Sequence, residues 1–226
     1  MKVNNSLEKT IDAYGDDHVG SSATTPLRAD AFELSNPKKV ELIQEKVAEI
    51  LEILGMDLTD DSIKGTPNRV AKMYVNEIFG GLHPDKKPKA STFSNKYKYG
   101  EILVEKNITL YSTCEHHLLP IVGKAHVAYI SKGTVVGLSK MNRIVQYYAQ
   151  RPQVQERLTL QIVEELKQVL GTEDVACVID AKHLCVNSRG IRDISSSTIT
   201  SEFGGAFKNK ETKREFLDYI QLDTEF

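Results

Sequence analysis

Apolar residues recur along this chain with two different periods, and the change comes near residue 95. Residues 1 to 34 sustain no period, and GDDHVGSSATTP (15 to 26) is rich in Gly, Ser and Thr, so they predict an N-terminal extension with one short helix. From Ser35 onward Val40, Ile43, Val47, Ile50, Leu51 and Leu54 fall at helical spacing before Gly55. Ser35 or Asn36 can cap this helix, and Pro37 suits its first turn. A second helix is expected from Thr66-Pro67, with Thr66 as cap, Val70, Met73 and Ile78 on its apolar face and Gly80-Gly81 at its end. The Lys- and Pro-rich loop from His83 to Ser94 then marks a subdomain boundary.

Beyond the loop the period falls toward two, in EILVEKNITLYS (101 to 112) and IVGKAHVAYI (121 to 130), as half-buried strands require. Residues 135 to 138 are expected to continue that sheet. Lys140 to Gln150 and Gln153 to Leu170 read as two helices split by Arg151-Pro152, with Gly171 ending the second. Asp174 to Val186 and Ser197 to Phe203 read as strands, and Glu211 to Ile220 as a closing helix. Strands flanking a helical pair, with connections too short for repeated crossovers, predict an antiparallel α+β domain. The expected organisation is thus an extension (1–34), a helical region (35–94) and an α+β domain (95–226).

The 226 residues are enough for a sizeable core, and a net charge of -2 gives no reason to expect nucleic acid or an anionic membrane as partner. No stretch approaches the roughly 18 apolar residues of a spanning helix, and the first twenty lack a signal-peptide core, so a cytoplasmic protein is expected. Three cysteines, Cys114, Cys177 and Cys185, favour thiolate chemistry over a disulfide framework.

Cys114-Glu115-His116-His117 places a thiol and an imidazole three residues apart just after a strand, where a tight turn lets both reach one ion. In His183-Leu184-Cys185 the strand's alternation would turn a second thiol and a second imidazole to the same side. Cys177 shares that parity but lies roughly 27 Å away along a regular strand, so it is expected in the core. A catalytic zinc on Cys114, His117 and Cys185, with the fourth position left to water, is the leading reading. A closed Cys2His2 zinc that adds His183, and metal-free packing, stay open. Glu115 is equally consistent with a carboxylate orienting an imidazole and with a solvated charge. His18, His83 and His126 have no partner motif and read as structural.

Lys140 and Arg143 lie one helical turn apart, and Arg189 and Arg192 follow the second cysteine within SRGIRD. Such cations suit a polyphosphate, Arg above all through its planar fork of donors. Arg69 and Lys72 are weaker candidates by position. Gln155-Glu156, at a helix start, could read a base edge, the carboxylate accepting from the adjacent N–H groups of guanine, or Glu156 can simply favour the helix dipole.

Taken together, TPLR (25 to 28), TPNRVAKMYVNEIF (66 to 79), STCEHH (112 to 117), VGLSKMNRIVQYYAQRPQVQERLT (136 to 159), HLCVNSRGIRD (183 to 193) and TKREFL (212 to 217) closely resemble the GTP cyclohydrolase I family. The resemblance implies a tunnelling fold whose subunit sheets close into a barrel in a homodecamer of two pentamers, with active sites between subunits. It implies one zinc per subunit on Cys114, His117 and Cys185. It further implies His116, His183 and Ser139 as catalytic residues, Glu156 as the carboxylate that holds guanine with Gln155 beside it, and Lys140, Arg143, Arg189, Arg69 and Lys72 around the ribose and triphosphate. The implied reaction opens GTP by zinc-activated water attack at carbon 8, releasing formate and closing to 7,8-dihydroneopterin triphosphate. Two rivals are a non-catalytic nucleotide-binding protein with a closed zinc, and another tunnelling-fold enzyme acting on a pterin or deazaguanine.

Overall fold

The computed structural model describes residues 21–89 and 91–223; the expected short helix and His18, where they fall within residues 1–20, lie outside that range. Helix α1 (Asn36–Ile53) starts where expected, with the Ser35 hydroxyl accepting from the Lys38 N–H and Pro37 in the first turn. It buries none of its residues within one subunit, and Ile50, Ile53 and Leu54 are 56, 84 and 70% exposed. Helix α2 (Thr66–Met73) departs from expectation at its start: Gly65 is the cap, and Thr66 lies inside the helix, its hydroxyl accepting from Arg69 Nη2 at 2.9 Å. After Met73 the helix widens into a π turn (Tyr74–Ile78) and ends in a tight turn at Gly80–Leu82.

Two sheets follow. Strand β1 (Thr92–Ser94) pairs antiparallel with β4 (Thr134–Val136) in a separate two-stranded sheet. Residues 134–136 therefore do not continue the main sheet as expected; a turn after β3 carries them away to meet the Pro-rich loop. The main sheet has the order β5-β2-β3-β6-β7, formed by β2 (Ile102–Cys114), β3 (Pro120–Ile130), β5 (Pro152–Gln153), β6 (Val175–His183) and β7 (Thr198–Phe203). Every pairing is antiparallel except the short parallel bridge of β5 to the end of β2. Helix α3 (Leu138–Ala149) begins two residues before the predicted start, and α4 (Gln155–Leu170) two after it, because Pro152–Gln153 pairs with β2 first.

Period-two alternation sorts the sheet's side chains into two cores. Val175, Cys177, Ile179 and Ala181 of β6 face α3 and α4, where Met141, Ile144, Leu158, Ile162 and Leu166 close the main cluster. The intervening Ala176 and Val178 face Phe207 and Phe216, the latter on the closing helix (Lys210–Gln221). Burial raises the Cys177 thiol far above its ordinary range, as suits the core cysteine the sequence implies. His126 is structural too: its Nδ1 accepts at 3.3 Å from the N–H of Asn107, which has a φ of +58° at a β2 bulge. His83 accepts from the Asp85 N–H and meets the edge of Phe32.

Candidate metal centre and active site

The Cys114 segment is the hairpin loop between β2 and β3. Cys114 N–H donates to the Leu119 carbonyl at 2.8 Å, and Leu118 N–H donates to the Cys114 carbonyl at 2.9 Å. This tight closure places Leu118 at a φ of +53°, a costly conformation for a residue with a Cβ. Glu115 N–H donates to the Gln153 carbonyl at 3.0 Å, adding to the β2 to β5 bridge in which Cys114 faces Gln153. The loop is thus sewn to the segment that starts α4.

The second segment reaches the loop through sheet register, since Ile121 at the start of β3 pairs with His183 at the end of β6. The sequence expectation that residues 183 to 185 share one strand face is corrected here. β6 stops at His183, and Leu184–Asn187 (α5) turn as one short helical segment. It is this turn, not strand alternation, that brings Cys185 back beside His183. Asn187, buried, holds the loop that follows by donating to carbonyls of Asp193 and Ser196.

The result is a close group. Donor atoms of Cys114, His183 and Cys185 lie within 4.8 Å of one another, and no disulfide joins the two thiols. The His183 imidazole holds the Cys114 thiol down, to about 6, against the opposing effect of burial. Burial and then the neighbouring Cys114 push Cys185 up, to about 11. One thiolate therefore forms readily and the second resists, which is the charge imbalance a divalent cation would relieve. Two sulfurs and an imidazole are donors zinc accepts, so the residues fit that metal.

The other expected residues divide. His116 lies beside the group, its Nδ1 3.6 Å from Cys114 Sγ. His117 is not in the group; its Nε2 lies 3.2 Å from Nη1 of Arg189, and because a guanidinium only donates, that nitrogen accepts. Gln155 is buried, with its Oε1 2.8 Å from His183 Nε2. Exposed Glu156 lines a cleft of about 510 Å³ together with Cys114, His116, His183 and Cys185. Ser139, Lys140 and Arg143 stand at the start of α3, and Arg69 and Lys72 on α2; among the described residues none of these five lines that cleft.

Sequence reasoning missed Arg157. Its guanidinium makes a two-point contact with the Glu115 carboxylate, Nη1 to Oε2 at 2.7 Å and Nη2 to Oε1 at 3.0 Å. Glu115 is accordingly a paired carboxylate and not a solvated one. The signal available was weak: an Arg two residues after Gln155, in a helix turn whose neighbours are buried.

An α+β domain that gathers two thiols and an imidazole in a cleft with a carboxylate at its wall offers the donor set of a metal site. A sequence profile of GTP cyclohydrolase I matches residues 43–221. GTP cyclohydrolase 1 of Flavobacterium johnsoniae is 73% identical over 224 residues, 99% of this chain and all of that protein. GTP cyclohydrolase 1 of Klebsiella pneumoniae is 52% identical, covering 90% of this chain and 92% of the relative. A solved structure, the archaeosine synthase QueF-like in its apo form, aligns over 48% of this chain with a TM-score of 0.41 and 17% identity. The chain belongs to the GTP cyclohydrolase I family.

Proposed function

We propose that this chain hydrolyses GTP to 7,8-dihydroneopterin triphosphate and formate. It is a GTP cyclohydrolase, a hydrolase acting at the first step of pterin and folate biosynthesis. The observation that carries the finer reading is the Cys114, His183 and Cys185 group sharing one cleft with Glu156.

One zinc per subunit would be held by Cys114, His117 and Cys185, the set expected from the family. When bound, zinc supplies the Lewis acidity that makes a water molecule nucleophilic near neutral pH. The chain's own residues do the rest. Glu156 accepts from the ring N–H and amino group of guanine and so aims carbon 8 into the cleft. His183 or His116 donates a proton to nitrogen 7 as the ring opens, and Ser139 assists the rearrangement of the ribose. Lys140, Arg143, Arg189, Arg69 and Lys72 hold the triphosphate, which is a handle and is not cleaved.

Because Lys140, Arg143, Arg69 and Lys72 stand apart from the cleft within one subunit, the reading places active sites between subunits of a homodecamer whose sheets close into a barrel. The exposed apolar face of α1 supports such an assembly. No described helix is long and apolar enough to cross a membrane.

A second reading makes His183 the third ligand, since it is the imidazole found within 4.8 Å of both thiols. Zinc content separates the two: His117→Ala loses the metal under the first reading, His183→Ala under the second. The activity itself is tested by incubating zinc-replete protein with GTP and measuring formate and the pterin chromophore. Cys114→Ala is expected to abolish both; full activity in that variant would exclude the metal assignment.

A further inference from the structure

Arg157 lies in the first turn of α4 with its side chain only 2% exposed. A guanidinium cannot lose its charge to suit burial, so it must be fully paired. Nη1 and Nη2 grip the two oxygens of Glu115, Nε donates to the Ser22 carbonyl at 2.8 Å, and Nη1 also lies 3.5 Å from the Pro152 carbonyl. Glu115 itself is held twice from the same side of the molecule. Its main-chain N–H is bonded to Gln153 and its carboxylate to Arg157.

Glu115 stands between Cys114 and His116, the two loop residues that line the cleft. With Glu115 held by β5 through its main chain and by α4 through its side chain, the adjacent Cys114 is fixed where its thiol meets Cys185 and His183. A buried ion pair is a poor device for stability alone, because desolvating both charges offsets most of their attraction. What a two-point guanidinium to carboxylate contact adds is direction, which neither a single-point cation nor an apolar contact reproduces.

We propose that Arg157, acting through Glu115, is a positioning residue that aims the Cys114 thiol and thereby sets the protein's affinity for zinc. The inference rests on the reading that Cys114 is a zinc ligand. The test compares zinc affinity, by chelator competition on the full chain, for the unaltered protein, Cys114→Ala, Arg157→Lys, and the double variant Arg157→Met with Glu115→Gln. The double variant leaves no unpaired charge buried, so it provides a folded protein without the contact if Arg157→Lys fails to fold.

Loss of a residue that orients a metal ligand weakens binding by about 10- to 100-fold, and that loss is expected in the folded variants lacking the contact, with kcat reduced and KM for GTP little changed. A purely structural role would lower the thermal midpoint and leave zinc affinity alone. A folded variant without the contact that binds zinc as tightly as the unaltered protein overturns the proposal. The underlying reading fails separately, if Cys114→Ala binds zinc as the unaltered protein does.

Discussion

Nε2 of His183 lies 2.8 Å from Oε1 of Gln155, and the rest of the Gln155 amide decides which way that bond runs. Its nitrogen donates to the carbonyls of Ile179 at 3.2 Å and Thr198 at 2.8 Å and to the Thr200 hydroxyl at 3.1 Å. Carbonyls only accept, so the oxygen is the end left for His183, and His183 must carry its proton on Nε2. The other ring nitrogen is the one left to meet the Cys114 thiol.

Replacing Gln155 by Glu turns a carboxylate oxygen toward two carbonyls. The expected cost is about 1–3 kcal/mol of stability, read by thermal unfolding, with a fall in kcat. Nitrogen NMR of His183 should still show the proton on Nε2, because the carboxylate oxygen that replaces the amide oxygen also accepts it. A proton on Nδ1 alone in a folded Gln155→Glu protein would contradict the assignment.

Metal binding should release protons in a number set by the thiols. With Cys114 near 6 and Cys185 near 11, metal-free protein at neutral pH holds one thiolate and one thiol. Zinc binding then frees about one proton at pH 7, not two, measurable by calorimetry in buffers of different ionisation enthalpy. Cys114 has a lowered pKa in the fold. Its contribution to metal-free stability is therefore present at alkaline pH and lost as pH falls through about 6, and Cys114→Ser should remove that part of the profile.

Gly123 permits the close approach of β3 and β6 just before the site. A Cβ there would meet the Asp180 carbonyl at 2.1 Å and Ala181 at 2.5 Å, both backbone atoms of a paired strand. Gly123→Ala should cost about 1–3 kcal/mol through forced separation, seen in denaturant unfolding. Zinc affinity should fall as well, because His183 is two residues beyond Ala181.

His126 links stability to acid. Burial lowers its pKa, reinforced by Lys124 and Lys106 and opposed by Asp180. A histidine with a lowered folded pKa contributes stability that is full above its unfolded value near 6.5 and is lost as pH falls through the folded one. Protonation would also remove the acceptor for Asn107 N–H. His126→Gln should flatten the decline in thermal midpoint on the acid side of neutrality; an unaltered slope would rule this out.

Local pattern carried much of the fold into the sequence. The period of α1, the alternation in β2 and β3 and the break at Arg151-Pro152 depend on near neighbours, so they could be read without a structure. The two-core arrangement of β6 follows from its alternation once partners are known. What could not be read depends on contacts between distant segments. The pairing of β1 with β4 has no local signature in three-residue strands. His183 and Cys185 do come together with Cys114, but through a helical turn that follows the strand without a Gly or Pro to mark it. Arg157 and Glu115 are 42 positions apart, and nothing near either residue names the other. Adjacency alone pairs Gln155 with Glu156; the contacts of its amide nitrogen with Ile179, Thr198 and Thr200 join distant segments and leave no mark in the local sequence.

The small β1 to β4 sheet has a practical corollary. Gly81 N–H bonds to the Gln150 carbonyl, and Arg151 donates to the Gly81 carbonyl, so the chain before the Lys- and Pro-rich loop is tied to the domain that follows, while β1 ties the chain after it to β4. A protease that nicks the loop between them should yield halves that travel as one body on a native gel and part company only in detergent.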